Sequence, residues 1–385
     1  MSSASTAETG PVYLDCAATA PVEPAVLEEM FRVWTEEPGN AGSRTHEYGM
    51  RAKKIIQNAR EQVASVVQSR PEEVIFTSGA TESNNISILG LAACGIKRNC
   101  RHVVSTAIEH KAVLEPLQVL EKQGFEVTRV PPGPSGAVSM EAIRNALRPD
   151  TLLVSIMQVN NETGVRQPIE EVAALLAGHD AYFHVDAAQG FGKDIDPLRT
   201  DRINLISVSA HKIYGPMGVG CLVVRRRGLS KIPLAPVFFG GGQERGLRPG
   251  TLPVPLVAGM GLAAELAERD HVRRKERCLV IRSKVLDALN AFNTTFVGDQ
   301  RLVVPHILNF AIEGVDSEAL MVALKDVIAI SSGSACTSQS YEPSHVLEAM
   351  NASERVMDGA VRFSWCHMTQ DVDWRAAALQ ISLLQ

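Results

Sequence analysis

"INLISVSAHKIYGPMGVG" (203–220) opens on eight mostly apolar residues and then stops abruptly at a histidine, a lysine and a Gly/Pro-rich turn. The run 203–210 has no polar face, so it predicts a strand buried on both sides rather than one half-exposed to water. Such a strand belongs in a sheet covered by helices on both faces. Working outward, "EEVIFTSG" (72–79), "HVVSTAI" (102–108), "TLLVSIMQV" (151–159) and "AYFHVDAA" (181–188) read the same way. Between them, "VLEPLQVLEKQG" (113–124) and "EEVAALLAG" (170–178) carry apolar helical faces, and both end at glycine. Strands alternating with helices predict an α/β fold with a mostly parallel sheet.

The pattern changes at 261–289, which reads as one long amphipathic helix, and "HILNFAI" (306–312) and "VIAISSG" (327–333) then read as strands of a smaller α+β domain. The expected organisation is a disordered leader over 1–12, a large domain over 13–260 and a small C-terminal domain over 261–385.

Composition narrows the function. The chain has 385 residues, 45% of them apolar, with a formal charge of -5. That length predicts two domains, and that charge offers no reason to expect direct nucleic-acid or membrane binding. Arg225, Arg226 and Arg227 read as a solvated turn after a strand. No stretch reaches the ~20 apolar residues that a bilayer requires. The first ten residues lack the basic start and apolar run of a signal peptide. The seven cysteines are odd in number and include no C-x-x-C pair, which suits a reducing cytoplasm and argues against a disulfide frame or a Cys-rich zinc site.

Ligands of open α/β sheets bind beyond the carboxyl ends of the strands. The residues at those ends are "GATESNN" (79–85), Glu109 and His110, Asn160 and Asn161, Asp186 and Gln189, and Ser209, His211 and Lys212. Five polar ends, with a carboxylate, two histidines and a lysine among them, predict a single polar site. Ala80 and Thr81 open a helix after a glycine turn, so their backbone N–H groups and the helix dipole form a cradle for phosphate. Lys212, directly after a buried strand, is placed as a desolvated amine able to attack a carbonyl. Asp186 could hold the proton of a pyridine nitrogen, Gln189 could reach a ring hydroxyl, and His110 could stack on a ring. Ser209 and His211 flank the lysine as further phosphate donors. The set points to pyridoxal 5'-phosphate. The bland readings are an ordinary helix cap for 79–81, a surface lysine and a locally satisfied His110.

"SSGSACTSQS" (331–340) cannot form a core, because its ten residues are small or polar with no apolar periodicity. Cys336 therefore sits on a segment built to move rather than in the interior, where free cysteines are usually found.

The motifs "TSGATESNN", "IEHKAVLEPL", "VNNETGVRQPI", "HVDAAQGFGK", "SAHKIYGPMGVGCLVVRR", "GGGQERGLRPGTLP", "SSGSACTS" and "VRFSW" resemble, in order, those of NifS/IscS-type cysteine desulfurases in the class-V aminotransferase family. The resemblance runs from "YLDCAAT" (13–19) to Trp365. It implies the aspartate-aminotransferase-like fold type I of pyridoxal-phosphate enzymes and a homodimer. It further implies that Lys212 joins the cofactor aldehyde, Asp186 partners the pyridine nitrogen, Gln189 sits near the ring hydroxyl and His110 stacks on the ring. Ala80, Thr81, Ser209 and His211 would hold the phosphate, and Thr251 would reach the phosphate of the neighbouring subunit. Asn161 and Arg362 would bind the carboxylate of L-cysteine. Cys336 would attack the substrate sulfur, leave alanine, and carry the persulfide out to an acceptor protein. No metal site is implied, with Cys336 as the one candidate iron–sulfur ligand.

The polar stretch before "HVLEAM" (345–350) resembles the long-loop branch of the family. After Arg362 the chain departs from the family pattern with Trp365, Cys366 and His367, a change expected at the mouth of the site. The helix over 371–385 is followed by no tail of the kind that docks housekeeping iron–sulfur scaffolds. "GNAGSRTHEYG" and "RPGTLPVPL" resemble the DndA-type branch, which supplies sulfur for DNA phosphorothioate modification. The alternatives are a housekeeping desulfurase for iron–sulfur clusters or tRNA thiolation, and a selenocysteine lyase. An aminotransferase has no use for Cys336. A non-enzymatic persulfide carrier has no use for Lys212, Asp186, His110 and Gln189.

Overall fold

The computed structural model describes residues 10–332 and 343–385; residues 1–9 of the expected leader, and Cys336, lie outside them. The strands are β1 (Val12–Tyr13), β2 (Val74–Thr77), β3 (His102–Thr106), β4 (Glu126–Val130), β5 (Thr151–Met157), β6 (Tyr182–Asp186), β7 (Leu205–Ser209), β8 (Gly220–Val224), β9 (Thr294–Phe296), β10 (Ile307–Ile312), β11 (Ile328–Ala329) and β12 (Ala360–Ser364). The seven-stranded sheet has the order β2-β8-β7-β6-β5-β3-β4. Only β8 runs against its neighbours; β7, β6, β5, β3 and β4 pair in parallel. The parallel sheet and its alternation with helices follow the reading of the sequence.

Both faces of the sheet are buried except at the edge strand β4, where Glu126 and Thr128 are exposed, which explains why the inner strands lack a polar stripe. Alternate residues go to opposite sides. Phe76, Val104, Val154, Phe183, Ile206 and Val223 enter one core. Ile75, Val103, Leu153, Tyr182, Leu205 and Leu222 enter another. The polar exceptions inside the sheet are satisfied. The His184 ring bridges Ser155 Oγ at 2.8 Å and Ser207 Oγ at 2.9 Å. Burial lowers its pKa to about 4, so it is neutral there.

The helix Val254–Leu289 begins seven residues before the expected start at 261 and runs unbroken through 260. Its first half, to Leu266, packs into the core that holds Phe183. Its second half, from Cys278, packs with Leu308, Phe310, Phe363 and Trp365 in a separate core. There β9, β10 and β12 form an antiparallel sheet, and β1 pairs in parallel with β11. Leu14 lies in this second core, so the start of the chain is tied to its C-terminal part.

The arginine run corrects a sequence expectation. Arg225 is not solvated but 5% exposed, and it donates to the carbonyls of Thr200, Leu198 and Val67. Three carbonyls left by irregular backbone find one guanidinium, which satisfies groups that burial would otherwise penalise.

Candidate active site

Parallel strands end on one side of a sheet, and that direction brings the polar strand ends together. They enclose a pocket of about 280 Å³. Of the expected residues, Ala80, Thr81, His110, Asn161, Asp186, Gln189, Ser209, His211, Lys212 and Arg362 all line it. Thr251 does not; it is exposed, just before the long helix. Among the described residues no group of three or more His, Cys, Asp or Glu side chains is placed to hold a metal ion.

One end of the pocket is a cradle for an anion. The helix Ala80–Leu89 points its N-terminus inward, and the N–H of Ala80 donates to Ser209 Oγ at 2.8 Å. The turn fits tightly because β8 starts at Gly220, where a Cβ would overlap the Val208 carbonyl and the Gly79 Cα. His211 bonds Thr19 Oγ1 at 3.1 Å through Nδ1. Burial, followed by the charges of Lys212 and Lys193, lowers its pKa to about 4.

At the opposite end lies Asp186, 5% exposed. Its Oδ1 accepts from the N–H of Ala188 at 3.0 Å, and its Oδ2 accepts from Asn84 Nδ2 at 2.7 Å. Asn84 was missed in the sequence because it sits in the fifth position of a helix, 102 residues from its partner. Behind Asp186, Glu109 is fully buried and burial lifts its carboxyl pKa to about 8.

Between the two ends stand His110, Gln189 and Lys212. His110 caps the helix Lys111–Lys122, its Nδ1 accepting from the N–H of Ala112 at 3.0 Å. The bland reading and the functional one hold together here: the cap fixes the ring that lines the pocket. Gln189 Nε2 donates to the Ala17 carbonyl at 2.9 Å, which leaves its Oε1 buried and without a partner. The Lys212 ammonium donates to the carbonyls of Ala17 and Ala18 at 2.6 Å and 2.7 Å. Two residues on, Tyr214 has φ +68, a left-handed conformation that costs a non-glycine residue about 1–2 kcal/mol. Full burial of its ring holds it there.

The pocket fits pyridoxal 5'-phosphate on the chemistry of its donors. It has an anion cradle, a carboxylate at the far end, an amine between them, and Gln189, whose buried Oε1 lacks a partner, in its lining. At the rim, Arg362 is 3% exposed. It donates to Asp15 Oδ1 at 2.6 Å, to Ser331 Oγ at 2.9 Å and to the Asn161 carbonyl at 2.9 Å. Asp15 carried no signal in the sequence, since 347 residues separate the pair.

The departure after Arg362 does not reach the mouth. Trp365 is fully buried and donates Nε1–H to the Cys278 carbonyl at 3.0 Å in the second core. Cys366 packs against Cys16, Ala20 and Tyr214. The neighbouring Cys366 and then burial raise the Cys16 thiol's pKa, and the Cys16 neighbour lowers that of Cys366. Cys221 is likewise buried.

Comparison with known proteins places this geometry. The family model "Aminotransferase class-V" matches residues 12–374. The cysteine desulfurase IscS of Vibrio vulnificus (strain YJ016) is 43% identical over 378 residues, covering 97% of this chain and 93% of that protein. The crystal structure of DndA from Streptomyces lividans is 51% identical and superimposes with a TM-score of 0.81 over 92% of this chain and 99% of that one. SspA, solved in complex with cysteine, is 36% identical with a TM-score of 0.81 over 93% and 100%.

Proposed function

The chain belongs to the class-V aminotransferases and, within them, to the cysteine desulfurases; from that premise we propose that it takes sulfur from L-cysteine at the Lys212 pocket and supplies it for DNA phosphorothioate modification. The observation that carries the desulfurase chemistry is a single pocket lined by an amine, a carboxylate, a helix N-terminus and, at its rim, Arg362. The finer role is supported by 51% identity to DndA against 43% to IscS.

In this reading Ala80, Thr81, Ser209 and His211 hold the phosphate of pyridoxal 5'-phosphate. Asp186, oriented by Asn84, holds the proton of its ring nitrogen. When bound, the cofactor supplies an electron sink for the substrate Cα. His110 packs on the ring, and Gln189 faces the ring hydroxyl. Arg362 and Asn161 grip the substrate carboxylate, a task suited to a planar guanidinium. Lys212, with the carbonyls of Ala17 and Ala18 near its amine, takes the Cα proton and later returns one to the product. The Cys336 thiolate attacks the substrate sulfur. An S–S bond forms, the Cβ–S bond breaks, and its electron pair ends as a C–H bond of alanine. Cys336, now a persulfide, passes the outer sulfur to an acceptor protein. Thr251, exposed on its own chain, completes the phosphate cradle of a second copy in a homodimer. A cytoplasmic setting belongs to the same reading, supported by six unpaired cysteines among the described residues.

The test is genetic and chemical. The gene is deleted in its native host, and phosphorothioate dinucleotides in nuclease-digested DNA are counted by mass spectrometry. The expected result is their loss, with recovery on complementation by wild type but not by Cys336→Ala. Unchanged phosphorothioate together with failing iron–sulfur enzymes assigns the housekeeping role instead. A selenocysteine lyase would turn over selenocysteine far faster than cysteine.

A further inference from the structure

The segment 240–251 gives the proposed catalytic roles only Thr251, yet the structure pins it at two points beside the phosphate end of the pocket. The first point is the edge of the sheet. β2 is the outermost strand on its side, so alternate backbone groups of β2 have no neighbouring strand. Arg60, on the helix Glu47–Val66, donates to the Val74 carbonyl at 2.5 Å, and Glu244 Oε2 accepts from the N–H of Phe76 at 2.7 Å. The two side chains also pair with each other, and Glu244 is 6% exposed. Glu244 and Arg245 have φ of +46 and +58, a left-handed conformation that two successive non-glycine residues keep only when firmly anchored.

The second point lies at the pocket. Arg248 Nε donates to Glu82 Oε1 at 3.0 Å, and both side chains are largely buried. The Gln243 side-chain oxygen accepts from the N–H of Gly250 at 3.0 Å and closes the loop around Arg248. Glu82 directly follows Thr81 in the first turn of the helix Ala80–Leu89, and its Oε2 accepts from the N–H of Ser78 at 2.7 Å. A carboxylate therefore stands in the same turn that is assigned to a phosphate.

That placement sets two anions against each other. A helix N-terminus favours negative charge, so Glu82 stabilises the helix, but its charge repels a phosphate arriving at the same end. The groups assigned to the phosphate do not offset it. Ala80, Thr81 and Ser209 are neutral. His211 is neutral too, because burial and then the charges of Lys212 and Lys193 lower its pKa to about 4. Lys212 is assigned to the cofactor aldehyde, and Arg362 at the rim is paired with Asp15. Arg248 is the cation bonded to Glu82 itself. We infer that Arg248 is a positioning residue for the phosphate: its ion pair neutralises Glu82 and keeps the helix N-terminus open to a dianion. The anchor at Glu244 holds Arg248 in place, four residues further along the same loop. The inference rests on the reading that this end of the pocket holds the phosphate of pyridoxal 5'-phosphate.

The experiment titrates the full-length protein, stripped of cofactor, with pyridoxal 5'-phosphate and separately with pyridoxal, which has the same ring and aldehyde but no phosphate. Arg248→Gln should bind pyridoxal 5'-phosphate ~10-fold more weakly and pyridoxal as wild type does. Glu82→Gln keeps an oxygen for the Ser78 N–H and removes the charge, so it should bind pyridoxal 5'-phosphate several-fold more tightly than wild type. The double variant Glu82→Gln/Arg248→Gln should return to wild-type affinity. A loop contact without this electrostatic role would weaken both ligands alike in Arg248→Gln, with no rescue in the double variant, and either result would overturn the inference. Where Arg248→Gln folds poorly, Glu82→Gln decides alone: unchanged or weaker binding of pyridoxal 5'-phosphate overturns it. Wild-type protein that binds no pyridoxal 5'-phosphate would remove the cofactor reading itself, a result read before any variant is made.

Discussion

Glu109 should be a buried, protonated carboxylic acid at neutral pH, and changing it to glutamine should alter how stability depends on pH. Its Oε1 accepts from Thr106 Oγ1 at 2.6 Å and from the N–H of Met157 at 3.0 Å, while Oε2 has no partner among the described residues. Burial is the largest influence and raises the pKa to about 8; the two donors pull it down, and Asp186 pushes it up. In the unfolded chain the same group titrates near ~4.3. The folded form therefore binds one more proton than the unfolded form between those values. The associated stability is fully present below the unfolded pKa and is lost as pH rises through about 8. At about 1.4 kcal/mol per pH unit, the interval from pH ~5 to ~8 corresponds to about 4 kcal/mol. Glu109→Gln keeps an acceptor for both donors and cannot ionise, so it lacks this slope. An unfolding entropy of ~2.1 cal/mol/K per residue gives about 0.8 kcal/mol/K for the whole chain. The wild-type midpoint should then fall about 5 °C further than the variant's across that range. Calorimetry of both proteins at several pH values measures the difference. An infrared band of a protonated carboxyl, present in wild type at pH ~6 and missing in the variant, is an independent check. Parallel midpoints together with no such band would refute the reasoning.

Further outcomes are expected at the pocket. Asn84→Ala removes a 2.7 Å bond to a buried carboxylate, worth about 1.5–3 kcal/mol, so cofactor affinity should fall ~10- to 100-fold in an absorbance titration. An unchanged affinity would remove Asn84 from the site. Arg362→Lys loses the planar fork, and KM for L-cysteine should rise ~30-fold, equivalent to about 2 kcal/mol, while cofactor absorbance stays as in wild type. Cys336→Ser should bind L-cysteine and change the visible spectrum yet release neither alanine nor sulfide, whereas Lys212→Ala should fail at loss of the Cα proton, read by exchange in deuterated water. Persulfide found by mass spectrometry on Cys366 or Cys278 after one turnover would contradict the role given to Cys336.

The sequence alone determined the layers of the fold and most of the pocket, because both follow from local rules. Apolar runs without a polar face required a sheet covered on two sides. Parallel strands all end on one edge, so His110, Asp186 and Lys212 had to converge there. Cys336 is the opposite case: it lies outside the described residues, and its role rests on the composition of its segment and the family resemblance alone. What only the tertiary structure decided are the pairings between remote positions. Asp15 holds Arg362 because β1 and its extension lie beside β12, and Asn84 reaches Asp186 because the helix Ala80–Leu89 packs over the sheet. Ala17 and Ala18 approach Lys212 through carbonyls that every residue possesses, so no side chain announced them. Arg225 looked like part of a charged turn until three carbonyls closed around it. A hydrogen bond of this kind depends on how distant segments are brought together, and neither residue type nor spacing along the chain encodes that distance.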